Sequence, residues 1–292
     1  MKKLLASILP GSVYKLLLTL KHLYTNYGTY SRFATLDRKI DKNVELGDEE
    51  YYQFKPFLNK IPINNKTYID IGAGNGVNGS CTLQLAKDPD WKGILFEYGS
   101  ITNLSFLYRE FKNIEIGKVK ITPHNIVKLI ESFTDIKNPG FLNLDIDSFD
   151  YEVMKNILEE GIHPYIVSIE INEKIPPPIE FYVKYNEKLQ YPIGHFYGCS
   201  IESTVKLFKE HNYFLNHIYR NNAFFLNKSL FLESDNLSVE EKYNNGYVNL
   251  PNRKNLFHYN KEWDSLIDLN IEDSKKFITS YFQELDGEYY LK

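Results

Sequence analysis

The 292-residue chain has only two cysteines, Cys81 and Cys199, and they form no C-x-x-C pair. Their scarcity and spacing imply neither a disulfide framework nor a cysteine zinc site, which suits a reducing, cytoplasmic setting. No run of Lys or Arg stands out and the formal net charge is −4, so a long nucleic-acid backbone is not expected as partner. Long apolar stretches are lacking too. Met1-Lys2-Lys3-Leu4-Leu5 imitates the start of a signal peptide, but Pro10, Gly11 and Lys15 interrupt it, and no small-residue cleavage site follows. Internal repeats and low-complexity tracts are not evident. With 43% hydrophobic and 25% charged residues, the composition excludes wholesale disorder.

Aromatic residues, by contrast, are abundant, with 23 Tyr and 19 Phe. Two readings stay open: A/T-rich coding, or a tyrosine-rich platform for a sugar or base. The length suits one sizeable domain with an appendage, or two small domains. We divide it into a helical extension over residues 1–50, a core domain over 51–229, and an extension over 230–292 packed on that core.

Leu16, Leu17, Leu20, Leu23 and Tyr24, with Lys15 and Lys21 between them, predict an amphipathic helix over residues 13–24. Such a helix docks on the domain, pairs with a second copy in a homodimer, or lies on a membrane surface; it is too short and too charged to span one. Beyond it, strand-like and helix-like segments alternate. Strands are expected at residues 67–71, 93–97, 117–120, 141–147 and 165–172, with helices between them, one of them capped by Thr122-Pro123. A hairpin of 214–219 and 223–226 follows, and a last helix near 274–285. This rhythm predicts an α/β fold: a Rossmann-like, doubly wound, mostly parallel sheet with a C-terminal antiparallel hairpin. Residues 173–199 break it and read as a lid or binding loop.

The chain is organised around Thr67-Tyr68-Ile69-Asp70-Ile71-Gly72-Ala73-Gly74-Asn75-Gly76. Glycines after a strand let the backbone pass close to a ligand and take positive φ, which opens a nucleotide-type pocket. The NAD fingerprint G-x-G-x-x-G needs glycine at position 77, where Val77 stands. Asp70 is expected at the strand end facing the pocket. Glu97, ending the second strand, is expected to accept hydrogen bonds from two ribose hydroxyls. Asn125 is expected near the same crevice.

Several segments resemble the FkbM-type class I S-adenosylmethionine (SAM) methyltransferases. They are Asp70 to Gly76, Thr122-Pro123-His124-Asn125-Ile126, Leu144-Asp145-Ile146-Asp147-Ser148-Phe149-Asp150-Tyr151, Ser168-Ile169-Glu170-Ile171-Asn172, and Tyr197-Gly198-Cys199-Ser200. One departure is Ser148, where relatives commonly carry glycine. The resemblance covers about positions 67–226. It implies that Gly72, Gly74, Asn75 and Gly76 wrap the amino-acid end of SAM while Asp70 holds its ammonium. It also implies O-methylation of a sugar hydroxyl on a surface polysaccharide, glycolipid or glycan precursor.

Such an acceptor must lose a proton, which requires a general base or a stabilising cation. Asp145 and Asp147, two apart on a strand and so on one face, are the first candidates, with Asp150, Glu170 and Asn172 nearby. Oxygen donors of this kind suit Mg²⁺ or Ca²⁺ better than zinc. The alternative is that these acids cap a helix and bind backbone amides. His195 is the other candidate base, or simply an exposed loop histidine. Rival functions are a methyltransferase acting on nucleic acid or another small molecule, and a non-catalytic scaffold of the same fold. Pro176-Pro177-Pro178 lacks the flanking Asn or Asp and the aromatic of a nucleic-acid catalytic segment.

Overall fold

A computed structural model describes residues 49–77 and 80–292. The amphipathic helix expected over 13–24 lies outside the described residues. Helix α1 (Glu49–Phe54) leads through 3-10 turns into β1 (Thr67–Ile71). There follow α2 (Leu83–Lys87), β2 (Lys92–Glu97), α3 (Thr102–Leu107), β3 (Ile114–Lys118), α4 (Ile126–Phe133), β4 (Phe141–Leu144), α5 (Asp150–Glu159) and β5 (Ile166–Glu170). The chain continues with β6 (Phe181–Val183), α6 (Ile201–Glu210), β7 (Tyr213–Tyr219), β8 (Asn222–Asn227), α7 (Val239–Tyr243), α8 (Arg253–Leu256), α9 (Ile271–Tyr281) and β9 (Tyr289–Leu291).

Seven strands pair in the order β3-β2-β1-β4-β5-β8-β7. The pairs β1–β2, β2–β3, β1–β4 and β4–β5 are parallel, whereas β8 runs antiparallel to both β5 and β7. Parallel strands covered on both faces must be apolar almost throughout. Accordingly Ile69, Ile71, Leu95, Phe96, Leu142, Leu144, Val167 and Ile169 are all buried. Helix α5 closes one face by seating Val153, Met154, Ile157 and Leu158 in the core. Each such side chain contributes roughly 1.5–3 kcal/mol by leaving water. Because β1 has β2 on one side and β4 on the other, the chain order reverses there, and a crevice opens beyond the strands' carboxyl ends.

Boundaries differ from expectation in places. The strand expected over 141–147 ends at Leu144, because Asp147 turns into the left-handed region at φ 53°. The third strand starts earlier, at Ile114. The N-cap position of α4 is Asn125 rather than Thr122-Pro123; the Asn125 Oδ1 accepts from the Thr122 amide at 2.8 Å and closes the turn ahead of the helix. The stretch 173–199 contains β6, which pairs antiparallel with β9 near the C-terminus. Stacking of Tyr182 between Tyr151 and Tyr290 sustains this two-stranded sheet, with ring centroids at 4.1 and 4.9 Å. From the C-terminal extension, Trp263, Leu266, Ile278, Phe282 and Tyr289 join the main core.

Candidate functional site

The glycine loop lies over the carboxyl ends of three strands. Gly72 and Ala73 donate their amides to the Phe96 carbonyl at 2.9 and 3.1 Å, which ties the loop to β2. On the other side Gly72 presses on β4: a Cβ built there would stand 1.6 Å from the Asp145 carbonyl oxygen, and its φ is +90°. Only glycine fits such an approach. At Gly74, with φ +56°, a Cβ would meet nothing within 4 Å. Gly76 rests on α3, where the Tyr108 hydroxyl donates to the Gly76 carbonyl at 2.7 Å. Asn75 turns its Oδ1 onto the Val77 amide at 2.9 Å.

A cavity of about 860 Å³ opens beside this loop, within the usual range for ligand pockets. It is lined by Gly72, Gly74, Glu97, Tyr98, Lys120 and Ile121 together with Asp145, Asp147 and residues 187–192. Glu97 is held by the backbone: the Gly74 amide donates to its Oε2 at 2.8 Å and the Gly99 amide to its Oε1. Gly72, Gly74 and Glu97 thus share the wall of one cavity.

Four expected cofactor contacts, Asp70, Asn75, Gly76 and Asn125, do not line the cavity. Asp70 does not face the cavity; it is buried under the loop, where it accepts from Thr82 Oγ1 at 2.6 Å and Asn143 Nδ2 at 3.0 Å. Burial raises its carboxyl above the usual range, against those two hydrogen bonds. Its place in β1, whose residues are all buried, decides this, since a polar group so placed must be satisfied internally. Asn125 is spent on its own turn, donating to the Lys120 carbonyl at 2.9 Å and so shaping residues 120–125. Asn75 and Gly76 set the loop's form from behind.

At the carboxyl ends of β4 and β5, one oxygen from each of Asp145, Asp147 and Glu170 lies within 4.8 Å of the others. Burial, then Asp150 and Asp147, push Asp145 up to about 8, and its carboxyl hydrogen-bonds that of Glu170. Glu170 is raised well above the carboxylate range by burial and by Asp145. Its Oε1 accepts from Asn221 Nδ2 at 2.9 Å, while the buried Oε2 has no donor beyond the neighbouring Asp145 carboxyl. Asp150 is committed differently. It accepts from the Ile146 and Ser148 amides at 2.9 and 3.1 Å and closes the turn into α5. Burial still raises it to about 6.

His195 stands apart from the cavity wall. Residues 193–196 fold under the C-terminal extension, and the His195 Nε2 lies 3.4 Å from Glu262 Oε1, with the ring 5.5 Å from Trp263. Burial and Lys174 lower its pKa. A role as base at the acids is therefore not supported by its position.

Sequence reasoning passed over several groups. Glu50, at the start of α1, is raised to about 7 by burial and adds its charge to the field at Asp145. The buried Lys174 donates to the Tyr197 hydroxyl at 2.6 Å, and that hydroxyl donates to Glu173 Oε2 at 3.0 Å. From the C-terminal extension, the Tyr243 hydroxyl donates to the Glu173 carbonyl at 2.6 Å. Nothing in the sequence distinguishes these charged residues from solvated ones. Tyr98, an exposed aromatic directly after the strand-end Glu97, was the legible signal of a cavity wall.

The sheet order and reversed β8 make this a Rossmann-like fold of the methyltransferase type. No protein-family model and no curated protein matches the chain. Among solved structures it is similar to a SAM-dependent methyltransferase from Aquifex aeolicus, at 14% identity over 65% of this chain and 96% of that one, TM-score 0.35. It is also similar to a putative O-methyltransferase from Klebsiella pneumoniae, at 11% identity over 66% and 89%, TM-score 0.40. A third is the methyltransferase domain of bacterial CtHen1, at 13% identity over 62% and 98%, TM-score 0.38. Among the described residues, no helix is long and apolar enough to cross a membrane.

Proposed function

We propose that this protein is a SAM-dependent methyltransferase acting on a hydroxyl of a carbohydrate acceptor. The observation that carries the reading is that one cavity joins the glycine loop and Glu97 to the carboxylates Asp145 and Asp147. The residues fit the cofactor. The Gly72 and Gly74 backbone offers close approach, Glu97 offers two acceptor oxygens for ribose hydroxyls, and Tyr98 and Ile121 offer flat or apolar surface for a base. When bound, SAM supplies an already activated methyl, so the protein's tasks are alignment and help with the acceptor's proton.

The acid cluster supports the second task, because carboxyls raised toward neutrality exchange protons at working pH. Residues 187–192, with Glu187, Lys188, Gln190 and Tyr191, bring polar and aromatic groups to the same cavity. Such a wall suits a sugar, and the O-methylation of a surface polysaccharide, glycolipid or glycan precursor is the acceptor class we propose.

Calorimetry with SAM, S-adenosylhomocysteine and NAD tests the cofactor. Binding of the first two and not of NAD is expected; binding of NAD alone refutes the reading. Mass spectrometry of nucleotide sugars and glycans incubated with protein and SAM tests the acceptor, through a gain of one methyl.

A further inference from the structure

Asp145 and Asp147 follow β4 and Glu170 ends β5, so two neighbouring strands deliver three carboxylates to one point. Internal compensation is sparse. Asp150 adds a fourth charge but spends its oxygens on the Ile146 and Ser148 amides. The ammonium bearing on Asp147 is that of Lys174, which is tied to Tyr197 at 2.6 Å and lies 3.6 Å from Glu173.

A separate observation points to a ligand. Glu170 is only 5% exposed, its carboxylate is anchored through Oε1 by Asn221, and its Oε2 is left buried with no donor beyond the Asp145 carboxyl. Two residues on, the wholly buried Asn172 likewise keeps its Oδ1 without a donor, while its Nδ2 is engaged by the His195 and Tyr197 carbonyls. Buried oxygens of this kind are rare unless something fills the gap. Asp147, meanwhile, lines the cavity and gives the point access to solvent.

We propose that Asp145, Asp147 and Glu170 form a binding site for one hard divalent cation at the carboxyl ends of β4 and β5. All three donors are oxygens, with neither sulfur nor imidazole in the group, which favours Mg²⁺, Mn²⁺ or Ca²⁺ over zinc. With three protein ligands, the remaining positions of such an ion are open to water or to an acceptor hydroxyl. Binding stands on the carboxylates alone; the use of the ion for acceptor alignment rests on the methyl-transfer reading.

The test uses the full chain without SAM and Mn²⁺ as the probe, with free ion followed by its electron paramagnetic resonance signal. One ion per chain is expected, with a dissociation constant below about 1 mM. Mg²⁺ and Ca²⁺ are expected to displace it. Glu170→Gln and Asp147→Asn keep shape, and asparagine tolerates the left-handed backbone at 147, so both variants should fold. Each should weaken Mn²⁺ at least about tenfold, whereas Glu187→Gln on the same cavity wall should leave it unchanged. No saturable binding to folded wild type overturns the site, and so does binding that survives Glu170→Gln. SAM calorimetry is read independently, so failure of this site and failure of the cofactor reading are distinguishable.

Discussion

The contact between the glycine loop and β4 makes a sharp contrast between two similar substitutions, Gly72→Ala and Gly74→Ala. At Gly72 the new methyl would stand 1.6 Å from the Asp145 carbonyl oxygen. Relief to ordinary contact requires the loop or the strand end to retreat by roughly as much again. That retreat pulls on the bonds from Gly72 and Ala73 to Phe96 and from Asp145 to Ile71, at 2.9, 3.1 and 3.0 Å, each worth about 1 kcal/mol. The backbone at φ +90° adds about 1–2 kcal/mol for a residue with a side chain. The sum is about 4–5 kcal/mol, a large share of the stability of a typical domain.

At Gly74 nothing lies within 4 Å and φ is +56°, so Ala should cost only about 1 kcal/mol. Its methyl would stand where we place the cofactor, however, and SAM affinity should fall about tenfold or more. Urea unfolding gives the first quantity for both variants and calorimetry with SAM gives the second. Equal stability of the two variants would refute the loop–strand contact. Undiminished SAM affinity in a folded Gly74→Ala protein would refute the cofactor placement.

Tyr108→Phe should lower stability by about 1–3 kcal/mol, because the buried Gly76 carbonyl loses its donor; an unchanged urea midpoint would show that this hydroxyl does not brace the loop. Glu97→Ala should leave the urea midpoint within about 0.5 kcal/mol, since the carboxylate is half-exposed and bonded to loop amides. The same change should weaken SAM about 10- to 100-fold through lost charge-assisted bonds, and calorimetry decides it. Burial, then Lys242, lowers His217 to about 4 from an ordinary value of 6.5. The unfolded state therefore binds more protons between these values. The stabilisation is complete above pH 6.5 and declines as pH falls toward 4, by about 2 kcal/mol at pH 5. The urea midpoint of His217→Gln compared with wild type between pH 7 and 5 isolates this slope from that of Glu50, raised to about 7, which runs the other way.

Much of the architecture was legible because the signals are local. Continuous apolar runs mark strands buried on both faces, and a 3.6-residue apolar period marks α4 and α5. Glycines after β1 mark a backbone that must take positive φ, and strand-end acids mark the edge where ligands meet a doubly wound sheet. The cavity-lining positions of Gly72, Gly74, Glu97, Asp145 and Asp147 therefore followed from spacing and resemblance.

What the chain's order could not decide is which way each polar group turns once the core is packed. Asp70 and Glu97 each stand near the end of a strand, yet Asp70 is satisfied inside by Thr82 and Asn143, whereas Glu97 is bonded to loop amides at the cavity. His195 is drawn to Glu262 and Trp263, more than sixty positions away in the chain. The short β6 has no periodicity to betray it and exists through its pairing with β9 and its stacked tyrosines. Likewise the burial of Glu170 and Lys174 comes from neighbours remote in sequence. Local pattern determined the sheet and its edge, because backbone geometry repeats over a few residues. Tertiary packing decided the wiring of the acids, because desolvation and hydrogen-bond supply depend on whatever the fold brings alongside.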